Sequence, residues 1–219
     1  MSTSAYQERI LGYFDILGWS DLVAESASRP ELLSELESAL TGHGLEIRPP
    51  DLLLQFTQFS DHVCISTLAS QERALTVVQV TLGSMVQRLL KLGYLSRGAL
   101  VVGPLLHRGN TILGPALAEA HEIESQVARY PRIVFSERAC EVAGSVSPPL
   151  KTFLRRDVDG LSFMDMLGLV DSLAEIQEIR NSVTGRPLKR DTLAVRSQRG
   201  WFFEYLRRRE DELRATACG

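Results

Sequence analysis

The sequence has few cysteines, no excess of basic residues and no long apolar run. Cysteine occurs at only three positions, Cys64, Cys140 and Cys218, without the spacing of a metal site. Such usage is typical of reduced thiols, so we expect a cytoplasmic protein. The net charge of −3 argues against nucleic acid as the main partner. No segment has the apolar length of a membrane span, and the first residues lack the pattern of a signal peptide.

Two aspartates lie in strongly apolar surroundings. Asp15 follows Gly-Tyr-Phe in one apolar run, and Asp61 lies between Phe59 and Val63 in another. A carboxylate in such surroundings costs free energy unless a cation pairs with it. Either residue alone is explained by a turn whose backbone it caps. The pair predicts a divalent metal site, because ions such as Mg²⁺ bind carboxylate oxygens and often substrate phosphates as well.

Apolar periodicity and turn residues predict the order of the secondary-structure elements. We expect Ser20 and Asp21 to cap the first helix, and His62 to point to the opposite face from Asp61. Strands are predicted over 9–17, 52–59, 62–68, 96–106 and 131–136. Helices are predicted from 22 and over 30–40, 71–92, 116–128 and 137–142. A hairpin is predicted around 157–160, with helices from 171 onward that are interrupted near 184–187.

This order predicts an α+β fold with a ferredoxin-like βαββαβ core, followed by a β-hairpin and a helical extension. In that topology the first strand lies beside the hairpin that contains Asp61, so Asp15 and Asp61 can meet at one edge of the sheet. We expect a catalytic domain over residues 8–167. We expect the C-terminal helical extension, residues 171–219, to pack on the same domain or on a dimer partner.

Five motifs in a fixed order resemble one family. They are Phe14-Asp-Ile-Leu-Gly18, Phe59-Ser-Asp61, Arg97-Gly98, Gly114-Pro-Ala-Leu117 with Ala120-His-Glu-Ile-Glu124, and Tyr130-Pro-Arg-Ile133. Together they resemble the class III-related pyrimidine nucleotide cyclases, the uridylate and cytidylate cyclases of Pycsar anti-phage defence systems. The resemblance covers roughly residues 8 to 167 and implies the fold of the class III nucleotidyl cyclases.

The resemblance also implies an activity and partners. The family converts UTP or CTP to the 3′,5′-cyclic monophosphate and pyrophosphate, with two divalent ions, Mn²⁺ or Mg²⁺, in each site. It works as a cytoplasmic homodimer whose active sites lie at the subunit interface, and a separate effector protein reads the product. We expect UTP as the substrate, with CTP as the alternative.

The resemblance assigns roles to particular residues. Asp15 and Asp61 would hold the metal ions with the carbonyl of Ile16, and Leu17 and Gly18 lead into a helix N-terminus that suits a triphosphate. Arg97 and Arg132 would stabilise charge on the phosphates. Thr57 stands four positions before Asp61, where class III enzymes select the base, and its hydroxyl can donate or accept a hydrogen bond.

One departure from the better-known purine cyclases leaves an alternative open. Those enzymes carry Asn and Arg on the helix that corresponds to residues 116–128, where this chain has Ala118 and Glu122. The usual transition-state pair is therefore absent. The alternative to an active cyclase is a catalytically inactive domain of the same fold that binds nucleotides or supports dimerisation.

Overall fold

The computed structural model of the protein describes residues 5–41, 54–145, 153–186 and 192–217. Within these ranges the chain forms eight strands and seven α-helices. The strands are β1 (Gln7–Ile16), β2 (Gln55–Phe59), β3 (His62–Leu68), β4 (Ser96–Arg108), β5 (Thr111–Leu113), β6 (Ile133–Phe135), β7 (Leu154–Arg156) and β8 (Ser162–Met164). The helices are α1 (Trp19–Ser26), α2 (Pro30–Thr41), α3 (Ala74–Lys91), α4 (Pro115–Glu122), α5 (Glu137–Ser145), α6 (Leu173–Gly185) and α7 (Leu193–Ala217).

The strands form one sheet in the order β2-β3-β1-β4-β6-β8-β7, and β5 pairs with β4. The first four strands in this order, β2-β3-β1-β4, have the arrangement of a ferredoxin-like core. Strand β1 is antiparallel to both β3 and β4, while β4 and β6 are parallel. The predicted α+β class, the βαββαβ core and the C-terminal hairpin are confirmed. The sheet brings the end of β1 beside the β2–β3 turn.

The alternation of side chains along β1 divides the core into two parts. Phe14 and its even-numbered neighbours face the main core, which α3 fills with residues such as Leu82 and Met85. Leu11 and Tyr13 face a smaller core beneath α4, where they pack against Ala116 and other small or β-branched side chains. The small residues of α4 let it lie close to the sheet.

Helices α6 and α7 contribute to the main core rather than standing apart from it. Ile179 of α6 and Phe202 and Leu206 of α7 are fully buried in it. The hydroxyl of Tyr205 accepts a hydrogen bond from the Leu167 backbone N–H at 3.0 Å. Burial of such side chains is worth roughly 1.5–3 kcal/mol each, so these helices stabilise the domain.

Two local predictions differ from the structure. Helix α1 begins at Trp19, and its N-cap residue is Gly18, whose φ of 80° ends β1 abruptly, instead of Ser20 or Asp21. The α-helical part of the predicted helix over 116–128 ends at Glu122, and residues Ile123–Val127 form a π-helix. The predicted interruption near 184–187 agrees with the end of α6 at Gly185, and residues 52–53, Pro187 and Cys218 lie outside the described residues. Of the helices that the structure describes, none combines the length and the apolar character of a membrane span.

Candidate functional site

Asp15 and Asp61 meet at one edge of the sheet. Strand β1 pairs with β3 so that Asp15 lies opposite His62. The Ile16 backbone N–H donates to the Asp61 carbonyl at 3.1 Å, which joins the strand end to the β2–β3 turn. One ligand atom each from Asp15, Asp61 and His62 lies within 4.8 Å of the other two. Two carboxylates and an imidazole at this separation suit a divalent cation.

The position of His62 corrects the expectation that it points away from Asp61. Ser60 has a positive φ of 55° and forms a tight turn with Asp61, so neither residue belongs to the regular alternation of a strand. His62 is the first residue of β3, and its Nδ1 lies 2.9 Å from Asp61 Oδ1. The face that a strand residue occupies is predictable only when the turn before it is known.

The pKa values of the two aspartates are shifted in opposite directions. Burial, followed by the negative charges of Glu124 and Asp61, raises the pKa of Asp15 to about 6. The pKa of Asp61 is lowered although burial acts in the opposite direction, because its own backbone N–H, the charge of His62 and the Ser60 side chain favour its carboxylate. The site therefore contains more negative charge than its own cations balance, and a bound divalent ion would relieve this excess.

Glu124 is the third carboxylate of the site, and its position depends on the π-helix. It is 3% exposed, and its Oε1 lies 2.6 Å from Nη2 of Arg97. Arg97 Nε lies 3.6 Å from Asp15 Oδ2, so this guanidinium lies between two carboxylates. Nδ1 of His121 is 3.7 Å from Glu124, and ligand atoms of His62, His121 and Glu124 form a second group within 4.8 Å. A π-helical turn often occurs where a side chain is re-aimed for function.

A cleft of about 470 Å³ opens beside the two aspartates. Its lining includes Asp15, Asp61 and the segment 16–20 at the start of α1, so Ile16, Leu17 and Gly18 all reach it. The first N–H groups of a helix have no intrahelical acceptor and carry partial positive charge, which suits phosphate oxygens. The positive φ of Gly18 turns the chain directly from β1 into α1, which brings these N–H groups close to Asp15.

Arg132 lies elsewhere, with partners other than the triphosphate that we expected. It is fully buried and forms ion pairs with Asp157 and Asp159 of the β7–β8 hairpin. Its guanidinium also faces the rings of Tyr130 and Trp201, at 5.4 and 5.6 Å from their centroids. Arg132 is not among the residues that line the cleft. The ion pairs with Arg132 account for the two acids Asp157 and Asp159. This placement gives no support to a phosphate contact by Arg132.

The hydroxyl of Thr57 has two hydrogen-bond partners within the protein. It donates to the Gly109 carbonyl at 2.9 Å and lies 2.8 Å from Nε2 of His107. Nδ1 of His107 lies 2.8 Å from Ser66 Oγ, which accepts from Arg9 Nε at 2.9 Å. Burial, with the nearby charge of Arg9, lowers the pKa of His107 to about 4, so this series of hydrogen bonds contains a neutral imidazole. Because the hydroxyl already donates and accepts, a direct contact between Thr57 and a base has no support here.

The structure adds residues that sequence patterns did not identify as part of the site. His62 joins it because the predicted turn at residues 60–61 directs its side chain toward Asp61, and Glu124 joins it because of a π-helix, which has no reliable sequence signal. Arg186 and Arg199 line the cleft from α6 and α7, more than 150 residues from Asp15 in sequence. Ala118 and Glu122 lie on the exposed side of α4. No described residue of α4 therefore supplies the asparagine and arginine of the purine cyclases.

Comparison with solved structures identifies the fold. A bacterial light-regulated adenylyl cyclase matches with a TM-score of 0.52 and 15% identity, over 83% of this chain and 58% of that chain. The adenylyl cyclase CyaB from P. aeruginosa matches with a TM-score of 0.46 and 13% identity, over 75% of this chain and 95% of that chain. The catalytic core of a rhodopsin-guanylyl cyclase matches with a TM-score of 0.44 and 12% identity, over 75% of this chain and 95% of that chain.

The chain has the fold of the class III nucleotidyl cyclases, as the resemblance predicted. It spans 58% of the light-regulated cyclase to which it is similar. No protein-family model matches the sequence. No curated protein matches it either. The identities are low enough that the comparison establishes the fold, while the chemistry must be argued from the site.

Proposed function

We propose that the protein is a pyrimidine nucleotide cyclase that converts UTP to 3′,5′-cyclic UMP and pyrophosphate. The observation that carries the proposal is the convergence of Asp15, Asp61 and His62 beside a cleft that also contains a helix N-terminus. In the reaction the ribose 3′-oxygen forms a bond to the α-phosphorus, the bond from that phosphorus to the bridging oxygen breaks, and the hydroxyl proton is released. This chemistry needs cations near the phosphates and donors for the leaving pyrophosphate.

The residues of the site fit divalent ions, Mn²⁺ or Mg²⁺. Asp15 and Asp61 would hold them, together with the Ile16 carbonyl and, on the geometry above, His62. Bound ions of this kind acidify the attacking hydroxyl and neutralise charge on the phosphoryl oxygens. The raised pKa of Asp15 and its two carboxylate neighbours favour a bound cation, because each charge would otherwise repel the others in a partly desolvated site.

The protein's own groups orient the nucleotide. The N–H groups at the start of α1 would receive the phosphate oxygens. Arg97 holds Asp15 and Glu124 in place from behind the cleft, at 3.6 and 2.6 Å. We therefore assign Arg97 the task of positioning the aspartate rather than of binding phosphate directly. The enzyme would work as a cytoplasmic homodimer whose active sites lie at the subunit interface, and a separate effector would read the product in anti-phage defence.

The decisive experiment supplies the protein with each of the four ribonucleoside triphosphates and Mn²⁺. We expect cyclic UMP and pyrophosphate from UTP, separated by anion-exchange chromatography and identified by mass spectrometry. Asp15→Ala and Asp61→Ala should each lower the rate by about 1,000-fold, since a metal-ion contribution amounts to several kcal/mol. Asp159→Asn is the matched control, because that carboxylate contacts Arg132 and does not line the cleft. Cyclic CMP as the main product would select the cytidylate cyclase instead, and purine products alone would contradict the substrate assignment.

One observation favours a second candidate, an inactive nucleotide-binding domain. Ala118 and Glu122 replace the Asn and Arg of the purine cyclases, and both lie on the exposed side of α4. Calorimetry with UTP and Mn²⁺ separates the candidates. Binding without any cyclic product at long incubation would establish the inactive domain, whereas turnover that depends on Asp15 would exclude it.

A further inference from the structure

Part of the cleft wall comes from the C-terminal helices α6 and α7. The residues of these helices at the cleft include Val183, Arg186, Val195, Gln198 and Arg199. They belong to the same cleft as Asp15, Asp61 and the start of α1. Two of the five are arginines, so the helices bring positive charge to a cleft whose other charged residues are acidic.

Arg186 has its charge satisfied within the protein. Its Nη1 lies 2.7 Å from Glu25 Oε2, and its Nε donates to the Leu92 carbonyl at 2.9 Å. The guanidinium also lies 3.9 Å from the centroid of the Tyr94 ring. With a carboxylate, a carbonyl and a ring as partners, this side chain joins α6 to α1 and to the end of α3. Its task is structural.

Arg199 is in a different position. Its Nη1 donates to the Arg186 carbonyl at 3.2 Å, and its Nη2 donates to the carbonyl of Val183. Both acceptors are neutral, and the salt bridges found among the described residues include none with Arg199. A guanidinium has five N–H donors, so the two carbonyls leave further donors for a ligand. Among the described residues, its guanidinium faces the ring of Phe203, 5.8 Å from the centroid, but pairs with no carboxylate.

The two carbonyls also hold Arg199 in one orientation. They lie at the C-terminal end of α6 and just beyond it, where backbone carbonyls lack intrahelical donors and the helix dipole attracts a cation. A guanidinium that is already ordered loses little conformational entropy when it binds a ligand. The ligand that suits such a group is an anion with several oxygens, because phosphate oxygens match the fork of the guanidinium.

We propose that Arg199 contacts the polyphosphate chain of the bound nucleotide, so that helix α7 forms part of the substrate site. The inference rests on the proposed function only in taking a nucleoside triphosphate as the ligand. The phosphates would lie between the N–H groups that begin α1 and the guanidinium of Arg199, next to cations on Asp15 and Asp61. The C-terminal helices thus acquire a binding function in addition to their part in the core.

The test measures binding of inorganic pyrophosphate with Mn²⁺ to the full chain by isothermal titration calorimetry. Loss of a hydrogen bond to a charged group corresponds to about a 10- to 100-fold weaker affinity, and we expect this for Arg199→Gln. Arg199→Lys keeps the charge without the fork and should lie between Arg199→Gln and the wild type. Arg208→Gln is the matched control, since Arg208 lies on the same helix, pairs with Glu204 at 3.4 Å and does not line the cleft.

Thermal unfolding of the same variants separates binding from a purely structural role. If Arg199→Gln lowers the melting temperature but binds pyrophosphate as well as the wild type does, Arg199 only caps α6 and the proposal is overturned. If Arg199→Gln does not fold, Arg199→Lys decides, because unchanged pyrophosphate affinity overturns the proposal and at least a threefold loss supports it.

The pyrophosphate affinity tests the contact with Arg199 whether or not the protein cyclises nucleotides. Pyrophosphate binding that depends on Arg199, in a protein that cyclises no nucleotide, would support the phosphate contact and contradict the proposed activity. Cyclisation of UTP with an unchanged KM in Arg199→Gln, together with unchanged pyrophosphate affinity, would support the activity and overturn the phosphate contact.

Discussion

Two groups of charged residues lie on the same sheet, and they differ in how completely their charges are satisfied. In the arginine cluster, defined as Arg132, Asp157 and Asp159, the buried guanidinium pairs with both carboxylates. The carboxylates also accept further hydrogen bonds, including one from Trp201 Nε1 to Asp157 at 2.7 Å. The carboxylate site, defined as Asp15, Asp61, His62, Arg97 and Glu124, contains three acids and one arginine, and that arginine pairs only with Asp15 and Glu124.

The contacts of the carboxylate site are also less well directed. Arg97 Nε lies 3.6 Å from Asp15, beyond hydrogen-bonding distance, and it is a buried atom without a hydrogen bond, as is Nε of Arg132 in the arginine cluster. The two clusters therefore differ in the number of acids rather than in unbonded guanidinium atoms. The comparison teaches that the carboxylate site has three acids for one arginine whereas the arginine cluster has two, and that only the carboxylate site lies beside the cleft.

The largest expected effect tests the structural role of the arginine cluster. Arg132→Met leaves Asp157 and Asp159 without their cation, and we expect the free energy of unfolding to fall by about 3–5 kcal/mol, as measured by urea denaturation. The matched variant is Asp15→Asn, in which a carboxyl with a raised pKa becomes neutral. For it we expect no loss of stability, and a gain of up to about 1 kcal/mol at pH 7.

Equal destabilisation by Arg132→Met and Asp15→Asn would contradict the distinction between the two clusters. Calorimetry with Mn²⁺ provides a second test of this distinction. Asp15→Asn should no longer bind the ion, whereas a folded Arg132→Met should still bind it.

A smaller effect concerns a third polar group, the buried chain through His107. Its pKa in the folded protein is about 4, below the ordinary value of about 6.5 that applies to the unfolded chain. Between these values the unfolded state binds more protons, so stability falls as the pH is lowered from about 6.5 to about 4. We expect this histidine to account for about 3 kcal/mol of that loss, measured by urea unfolding at several pH values.

His107→Gln provides the control for this pH dependence, since it keeps a donor for Thr57 but does not titrate. The slope of stability against pH in this range should be smaller in the variant. Identical slopes in the variant and the wild type would contradict the assignment of a neutral buried imidazole.

The smallest effect concerns the turn that leads from Asp15 into the cleft. Gly18 has a φ of 80°, and an added Cβ would meet no atom within 4 Å, so Gly18→Ala has only a conformational cost. We expect about 1 kcal/mol of destabilisation in urea unfolding. Gly144→Ala in α5 is the matched control, because its added Cβ also meets nothing but the backbone there is helical. It should gain up to about 1 kcal/mol, and a loss of the same size in both variants would refute the explanation.

Much of the fold could be predicted because its signals are local. Apolar runs and turn residues indicated the strands that flank Asp15 and Asp61, and the ferredoxin-like order made their meeting an expectation. The metal role of these aspartates stays a prediction that the nucleotide experiment tests. The expectation for Arg132 had no such local basis. The Tyr-Pro that precedes it in sequence does not indicate whether its guanidinium contacts a phosphate or the two carboxylates of the hairpin.

The sequence by itself determined the order of the elements and the apolar surroundings of the two aspartates, since side-chain periodicity and turn chemistry act over a few residues. The tertiary structure alone decided which charges are satisfied. The π-helix that aims Glu124 at Arg97, the hairpin that neutralises Arg132 and the helix that brings Arg199 to the cleft all depend on contacts between distant segments. Charge compensation is a property of positions in space, and these become defined only when the chain has folded.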